Sequence, residues 1–175
     1  MKTKYLSVLV SFGVLLSGIA GSFSAVAPAA TQTVAAAKKA KVQPKGTIAF
    51  SGVTVKVIKG NMKVTTAPKG NLAQTWGGQT NLSVTDKQST HIIGHNNTSF
   101  GKIVKLKKGS PVTVRDSKGH SKTYHVTAVR NVTDYGMIQG TKKDVWNQIV
   151  SAKQGEQVVL QTCLSKTLNR IVWAR

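Results

Sequence analysis

Val158-Val159-Leu160-Gln161-Thr162-Cys163 contains the sole cysteine of a 175-residue chain. Three β-favouring apolar residues lead into the thiol. A polar segment, Leu164 to Asn169, follows, and then a second apolar run, Ile171-Val172-Trp173. The pattern predicts strand, loop, strand, with the thiol at the end of the first strand. A side chain there can face a cleft while the sheet holds its backbone rigid. The competing reading is a buried Cys acting as a small hydrophobe, which is the commoner role of a free thiol.

Further strands are predicted upstream. Val53, Val55 and Val57 alternate with Thr54, Lys56 and Ile58, after a Ser51-Gly52 turn that follows Ile48. Thr90-His91-Ile92-Ile93 runs into Gly94-His95. Pro111 to Arg115 is a strand, Asp116-Ser117-Lys118-Gly119 a hairpin turn, and Lys122 to Val132 the return strand. Phe100, Ile103, Val104 and Leu106 make a short amphipathic segment, and Leu72 and Trp76, four apart, fit one helical turn. Trp76 reads as a core plug that packs a polar loop down. Thr141-Lys142-Lys143-Asp144 has the form of a capping box ahead of Val145, Trp146, Ile149 and Val150, which predicts one helix over 142–153. Seven or eight short strands at regular spacing predict a mainly β domain, barrel or sandwich.

Composition bounds the function. Lys2 and Lys4 precede an apolar run from Tyr5 to about Ala20, then small residues from Gly21 to Ala30, the pattern of a secretory signal peptide over 1–30 with an Ala27-Pro28-Ala29 cleavage site. The rival is an uncleaved membrane anchor, although the run is a little short of the roughly 18 residues that span a bilayer comfortably. Either way the remainder works outside the cytoplasm, secreted or at the cell surface. Residues 31–45 read as a flexible linker, and 46–175 as one domain. A single Cys excludes an intrachain disulfide. The formal charge is +20, and six lysines precede residue 46, leaving about +14 on the domain. For an exported chain this predicts an anionic partner, a cell wall or membrane surface, and not nucleic acid. The five acids, Asp86, Asp116, Asp134, Asp144 and Glu156, form no close pair. That argues against two-carboxylate glycosidase chemistry and against a calcium site. His91 and His95 have i, i+4 spacing but no accompanying zinc motif, so no metal is expected.

A nucleophilic cysteine needs a base or cation beside it and a donor for the oxyanion formed on attack. Of the four histidines, His120 lies in a turn, His125 on a strand face and His91 inside its strand. His95 follows Gly94 at a strand end, the same kind of position as Cys163.

Ile93-Gly94-His95, then Phe100 with Lys107-Lys108-Gly109 and the hairpin, then Leu160-Gln161-Thr162-Cys163 and a basic residue opening the last strand, resembles the sortases of Gram-positive bacteria. Cys163 follows His95 by 68 residues, close to the family's separation. The resemblance covers 46–175 and is strongest from Thr90 onward. It implies a closed β-barrel of seven or eight strands with one or two short helices, and His95 and Cys163 on neighbouring strands. It also implies a transpeptidase. Cys163 would attack the Thr carbonyl of a Leu-Pro-x-Thr-Gly-like sorting signal on a surface protein, a thioacyl-enzyme would form, and a peptidoglycan amine would release it. His95 would be the general acid and base, Arg170 the oxyanion donor, and Thr162 and Asn169 substrate-binding residues, Thr162 helping to shape the pocket, with no cofactor.

The match departs at the arginine. Many sortases carry it one position earlier, where this chain has Asn169, and adjacent strand residues face opposite sides. A bulge would be needed to bring Arg170 to the cleft. The rival expectation is a hydrolytic or non-catalytic sortase-like domain that binds the anionic surface.

Overall fold

The structure, a computed structural model, describes residues 42–64 and 66–175. The expected signal peptide at 1–30 and most of the expected linker at 31–45 lie outside the described residues. The elements run β1 Thr47–Phe50, β2 Val53–Ile58, β3 Leu72–Gly78, β4 Ser89–Gly94, a 3-10 helix Ser99–Lys105, β5 Pro111–Arg115 and β6 Ser121–Thr133. Then come α1 Trp146–Val150, a 3-10 turn Ala152–Gln154, β7 Gln157–Cys163 and β8 Leu168–Ala174. The strands close into a barrel in the order β1-β2-β3-β4-β7-β8-β6-β5, sealed by antiparallel pairing of β1 with β5. The expectation of a closed barrel holds, with eight strands.

Two apolar clusters explain the unbroken hydrophobic runs of β7 and β8. Val158, Leu160, Val172 and Ala174 join Ile92, Phe100 and Tyr124 in one core. Val159, Ile171 and Trp173 join Val132, Val145 and Ile149 in another. Successive strand residues point to opposite faces. The first set therefore fills the barrel, and the second covers its outside beneath α1. A strand buried on both faces cannot show alternation.

The helix is much shorter than predicted. α1 spans Trp146–Val150, five residues, and its N-cap Val145 makes no side-chain cap bond. The Thr141-to-Asp144 box does not form. Thr141 Oγ1 donates to Ile138 O at 2.9 Å and accepts from Lys143 N at 3.1 Å, closing a turn instead. Asp144 pairs with Met137 in an isolated bridge, and Val145 N donates to Gly136 O. Those contacts hold 137–145 in non-helical backbone. Asp144 serves the helix from closer in, its Oδ1 accepting from Trp146 N at 2.7 Å.

Leu72 and Trp76 lie on strand β3, not in a helical turn. A spacing of four puts two residues on one face at either period, so it could not decide between them. Gln43, assigned above to the linker, is fixed to the barrel: its Nε2 donates to Thr47 Oγ1 at 2.9 Å and to Thr113 O at 3.3 Å. No helix among the described residues is long and apolar enough to cross a membrane.

Candidate active site

β4 and β7 are adjacent and parallel, with Thr90 level with Val158 and Ile93 with Gln161. Continuing that register two places brings His95 level with Cys163, each just at or past its strand end. Val159 belongs to the outer cluster. Cys163, an even number of residues further along β7, therefore faces the same outer side. Its thiol is free and exposed, which removes the buried-hydrophobe reading.

Gly94 has a steric reason. A Cβ there would lie 2.5 Å from the Phe100 ring, which is itself fully buried. Gly94 O accepts from Thr162 Oγ1 at 2.7 Å, tying the end of β4 to the end of β7 one residue before each candidate catalytic group. His95 O accepts from Thr98 Oγ1 at 2.9 Å, and Thr98 in turn caps the 3-10 helix. The backbone under both side chains is thus held from two directions.

β7 and β8 pair antiparallel, with Cys163 opposite Asn169 and Thr162 opposite Arg170. Directly opposed residues share a face, so Asn169 lies on the thiol's side and Arg170 on the other side with Thr162. The pairing is regular from Val158 to Cys163, and the irregularity in β8's other pairing falls between Val126 and Ala128, far from this end. The bulge that would bring Arg170 to the cleft does not occur. The Arg170 Nε is buried without a hydrogen-bond partner. Asn169 is buried, and its Nδ2 donates to Asp134 Oδ1 at 2.7 Å.

Cys163, Thr162, Asn169, Asp134, Trp76 and Trp146 line a cavity of about 270 Å³ whose remaining wall is mainly apolar. Neither His95 nor Arg170 forms part of that wall. No lysine or arginine among the described residues lines it, and Asp134 is its one carboxylate. The other arginines are engaged elsewhere. Arg115 Nε donates to Gly119 O, Arg130 to its neighbour's carbonyl, and Arg175 Nε to Gln157 Oε1 at the opposite end of β7.

The remaining histidines stand apart. His91 is fully buried on the outer side of β4, edge-on to Trp76 with ring centroids 5.5 Å apart, and neither ring nitrogen has a hydrogen-bond partner. Burial pushes its pKa down to about 3. Gln161 approaches the ring and pulls the other way, without full hydrogen-bond geometry. His120 Nδ1 contacts Asp116 Oδ2 at 3.1 Å in the hairpin, and exposed His125 faces Gly109 O. His95 alone is level with the thiol.

The sequence reading missed Asp134 and Trp146 as members of the cleft, and took Trp76 as a plug only. Trp76 does hold its loop, through Nε1 to Val64 O at 2.7 Å, but it also walls the cavity edge-on to Trp146. Nothing local in the sequence points to these three. They meet because β3 flanks β4 and β6, just before Asp134, flanks β8 in the barrel wall, while α1 packs against β3 and β4.

A sortase-domain family profile matches residues 47–175. The chain belongs to the sortase family. Among curated proteins no sequence matches. Solved structures agree on the fold. Sortase C from Clostridium perfringens SM101 superposes with a TM-score of 0.55 at 18% identity, over 74% of this chain and 67% of that one. Sortase A of Listeria monocytogenes gives 0.55 at 20% identity, over 74% and 84%. Sortase C1 of Streptococcus agalactiae gives 0.52 at 22% identity, over 74% and 65%. This sortase domain therefore spans about two-thirds of two of these three chains and more of the third. Its barrel is the family's, and the cleft lies at the ends of β4, β7 and β8.

Proposed function

We propose that this sortase-family domain is a cysteine transpeptidase acting on a Leu-Pro-x-Thr-Gly-like sorting signal. The observation that carries the reading is the exposed Cys163 at the end of β7, level with His95 past the end of the neighbouring strand. In the first step the Cys163 thiolate adds to the scissile Thr carbonyl carbon. A C–S bond forms, the C–N bond breaks, and the leaving amine takes its proton from His95. In the second step a neutral amine, from peptidoglycan, adds to the thioester. A C–N bond forms, the C–S electron pair returns to Sγ as thiolate, and the amine's proton passes to His95.

Each tetrahedral intermediate carries an oxyanion that needs a donor. Arg170 was the expected donor on chemical grounds, but the β7–β8 register favours Asn169. One Asn169 N–H is engaged by Asp134, which leaves the second for the oxyanion. A neutral amide bond is roughly half as strong as one from a guanidinium, so a slow enzyme is expected. Thr162 shapes the wall and does not touch the reacting atoms, since its hydroxyl hydrogen is committed to Gly94 O. The absence of any described cation in the cleft wall favours a second reading, a weakly hydrolytic or non-catalytic domain that binds anionic cell wall or membrane.

Incubating the full chain with sorting-signal peptides and an amine, with intact-mass detection, separates the two. The first reading expects a thioacyl adduct that disappears in Cys163→Ala and an amidated product that falls sharply in His95→Ala. The second expects either an adduct that resolves to the free acid with no amidated product, if the domain is hydrolytic, or no adduct even though Cys163 is freely alkylated, if it is non-catalytic.

A further inference from the structure

Catalysis at Cys163 passes through two anions, the thiolate and the oxyanion. The residue facing Cys163 is Asn169, and the group holding Asn169 is the Asp134 carboxylate, at 2.7 Å. A carboxylate lining the same cavity as the thiol opposes both anions. The chain carries 25 Lys and Arg against 5 Asp and Glu, yet among the described residues no cation lines this cleft. Asp134 is exposed and forms no salt bridge with any described residue. A protonated His95 balances the thiolate in the proposed mechanism, but no described cation offsets the Asp134 carboxylate.

The surroundings of Asp134 fit a cation on an aliphatic stem. The turn that carries Asp134 abuts Trp146, since a Cβ on Gly136 would come within 2.8 Å of Trp146 Cβ. Trp146 and Trp76 meet edge-on at 5.9 Å and wall the same cavity. Aromatic faces attract cations, and long basic side chains lay their methylenes along such surfaces while the charged head reaches a polar group.

We propose that the acyl-donor peptide supplies the missing cation. It carries a Lys or Arg side chain close to the scissile bond, with its stem against Trp146 and Trp76 and its charged head on Asp134. Asp134 is then a specificity-determining residue. The bound head neutralises the carboxylate and lends positive charge to the region where the oxyanion forms. This inference rests on the transpeptidase reading.

The test measures the rate of thioacyl adduct formation on the full chain. The donors are Leu-Pro-x-Thr-Gly peptides bearing Lys, Arg, Gln, norleucine or Glu at x, or at the position after Gly. The expected result is acylation at least about tenfold faster with Lys or Arg than with Gln or norleucine, shrinking as salt rises. Asp134→Asn keeps an acceptor for Asn169 and should bring the ratio near one. Asp134→Lys should invert it in favour of Glu. Equal rates for all peptides, or a preference unchanged in both variants, would overturn the inference while leaving the transpeptidase reading intact. A cation preference seen only in the amine step would also overturn it, assigning Asp134 to the acceptor. No adduct from any peptide, with Cys163 still alkylated by iodoacetamide, would overturn the transpeptidase reading and this inference together.

Discussion

Asn169 and Arg170 are neighbours in sequence and face opposite sides of the same strand. Asn169 is opposite Cys163, Arg170 opposite Thr162. If Asn169 donates to the oxyanion, Asn169→Ala should lower the acylation rate about 100- to 1000-fold, the usual loss for one such donor. Arg170→Ala should change it less than about tenfold, because its side chain is on the far face. Single-turnover kinetics on both variants would check this, and the reverse order would mean that Arg170 reaches the cleft by a rearrangement absent here. A second residue, His91, governs acid stability. Its pKa is depressed to about 3 by burial, below the ordinary 6.5 of an exposed imidazole. The unfolded chain binds a proton there first, so His91's share of stability is complete above about pH 6.5 and is lost as the pH falls toward 3. The loss approaches about 1.4 kcal/mol per pH unit inside that window. His91→Leu, which puts an apolar side chain of similar size beside Trp76, should melt with a shallower dependence on pH between 6 and 4. Parallel melting curves for the two proteins would show that His91 is not the acid-sensitive group.

The ends of β4 and β7 act as one element, joined by Thr162 Oγ1 on Gly94 O and pressed against the 3-10 helix by Phe100. Gly94→Ala would drive a methyl group into the Phe100 ring, which is fully buried and edge-on to Phe50 at 5.7 Å. Overpacking of this kind costs about 1–3 kcal/mol. The expected result is a lower melting temperature together with a fall in activity larger than stability alone explains, since the strand end carrying His95 must move. Thermal denaturation and adduct kinetics on the same preparation would test this, and wild-type values in both would show that Phe100 yields without moving β4. Element boundaries were legible where one pattern had one meaning. Pro111–Arg115 matches the prediction residue for residue, and Ser51-Gly52 makes the predicted turn with φ of 46° and 75°. They were illegible where a motif could serve two structures. Thr141-Lys142-Lys143-Asp144 suits a helix cap by composition, and tertiary contacts use it as a turn and a bridge.

Across the whole molecule, the +20 charge of the chain and the single carboxylate of its cleft act at different ranges. Diffuse positive charge attracts anionic surfaces over about a screening length, while Asp134 acts only at contact. The protein is therefore expected to bind vesicles rich in anionic lipid, or anionic wall fragments, at low salt. It should be released near 1 M salt, where the screening length is about 3 Å. Sedimentation with anionic and zwitterionic vesicles would measure this. Equal binding to both, or binding that persists in high salt, would assign the attachment to something other than charge.

The sequence by itself determined a mainly β domain and its strand count to within one; its resemblance to sortases added the closed barrel, and it named Cys163 and His95 as candidate site residues. Cys163 is the only thiol, Gly94-His95 closes a β-branched strand, and both signals are local because they rest on residue type and a period of two. The tertiary structure decided everything that depends on which strands are neighbours and in what register. Parallel pairing of β4 with β7 brings His95 level with Cys163 across 68 residues of chain. Antiparallel pairing of β7 with β8 selects Asn169 over Arg170 for the thiol's face. The placing of β3 beside β4 and of β6 beside β8, with α1 packed against β3 and β4, brings Trp76, Asp134 and Trp146 to one cavity. The physical reason is that a side chain's face is fixed by alternation along its own strand. Its partners are fixed by hydrogen-bond register between strands, and a one-residue shift, invisible in composition, exchanges an amide for a guanidinium.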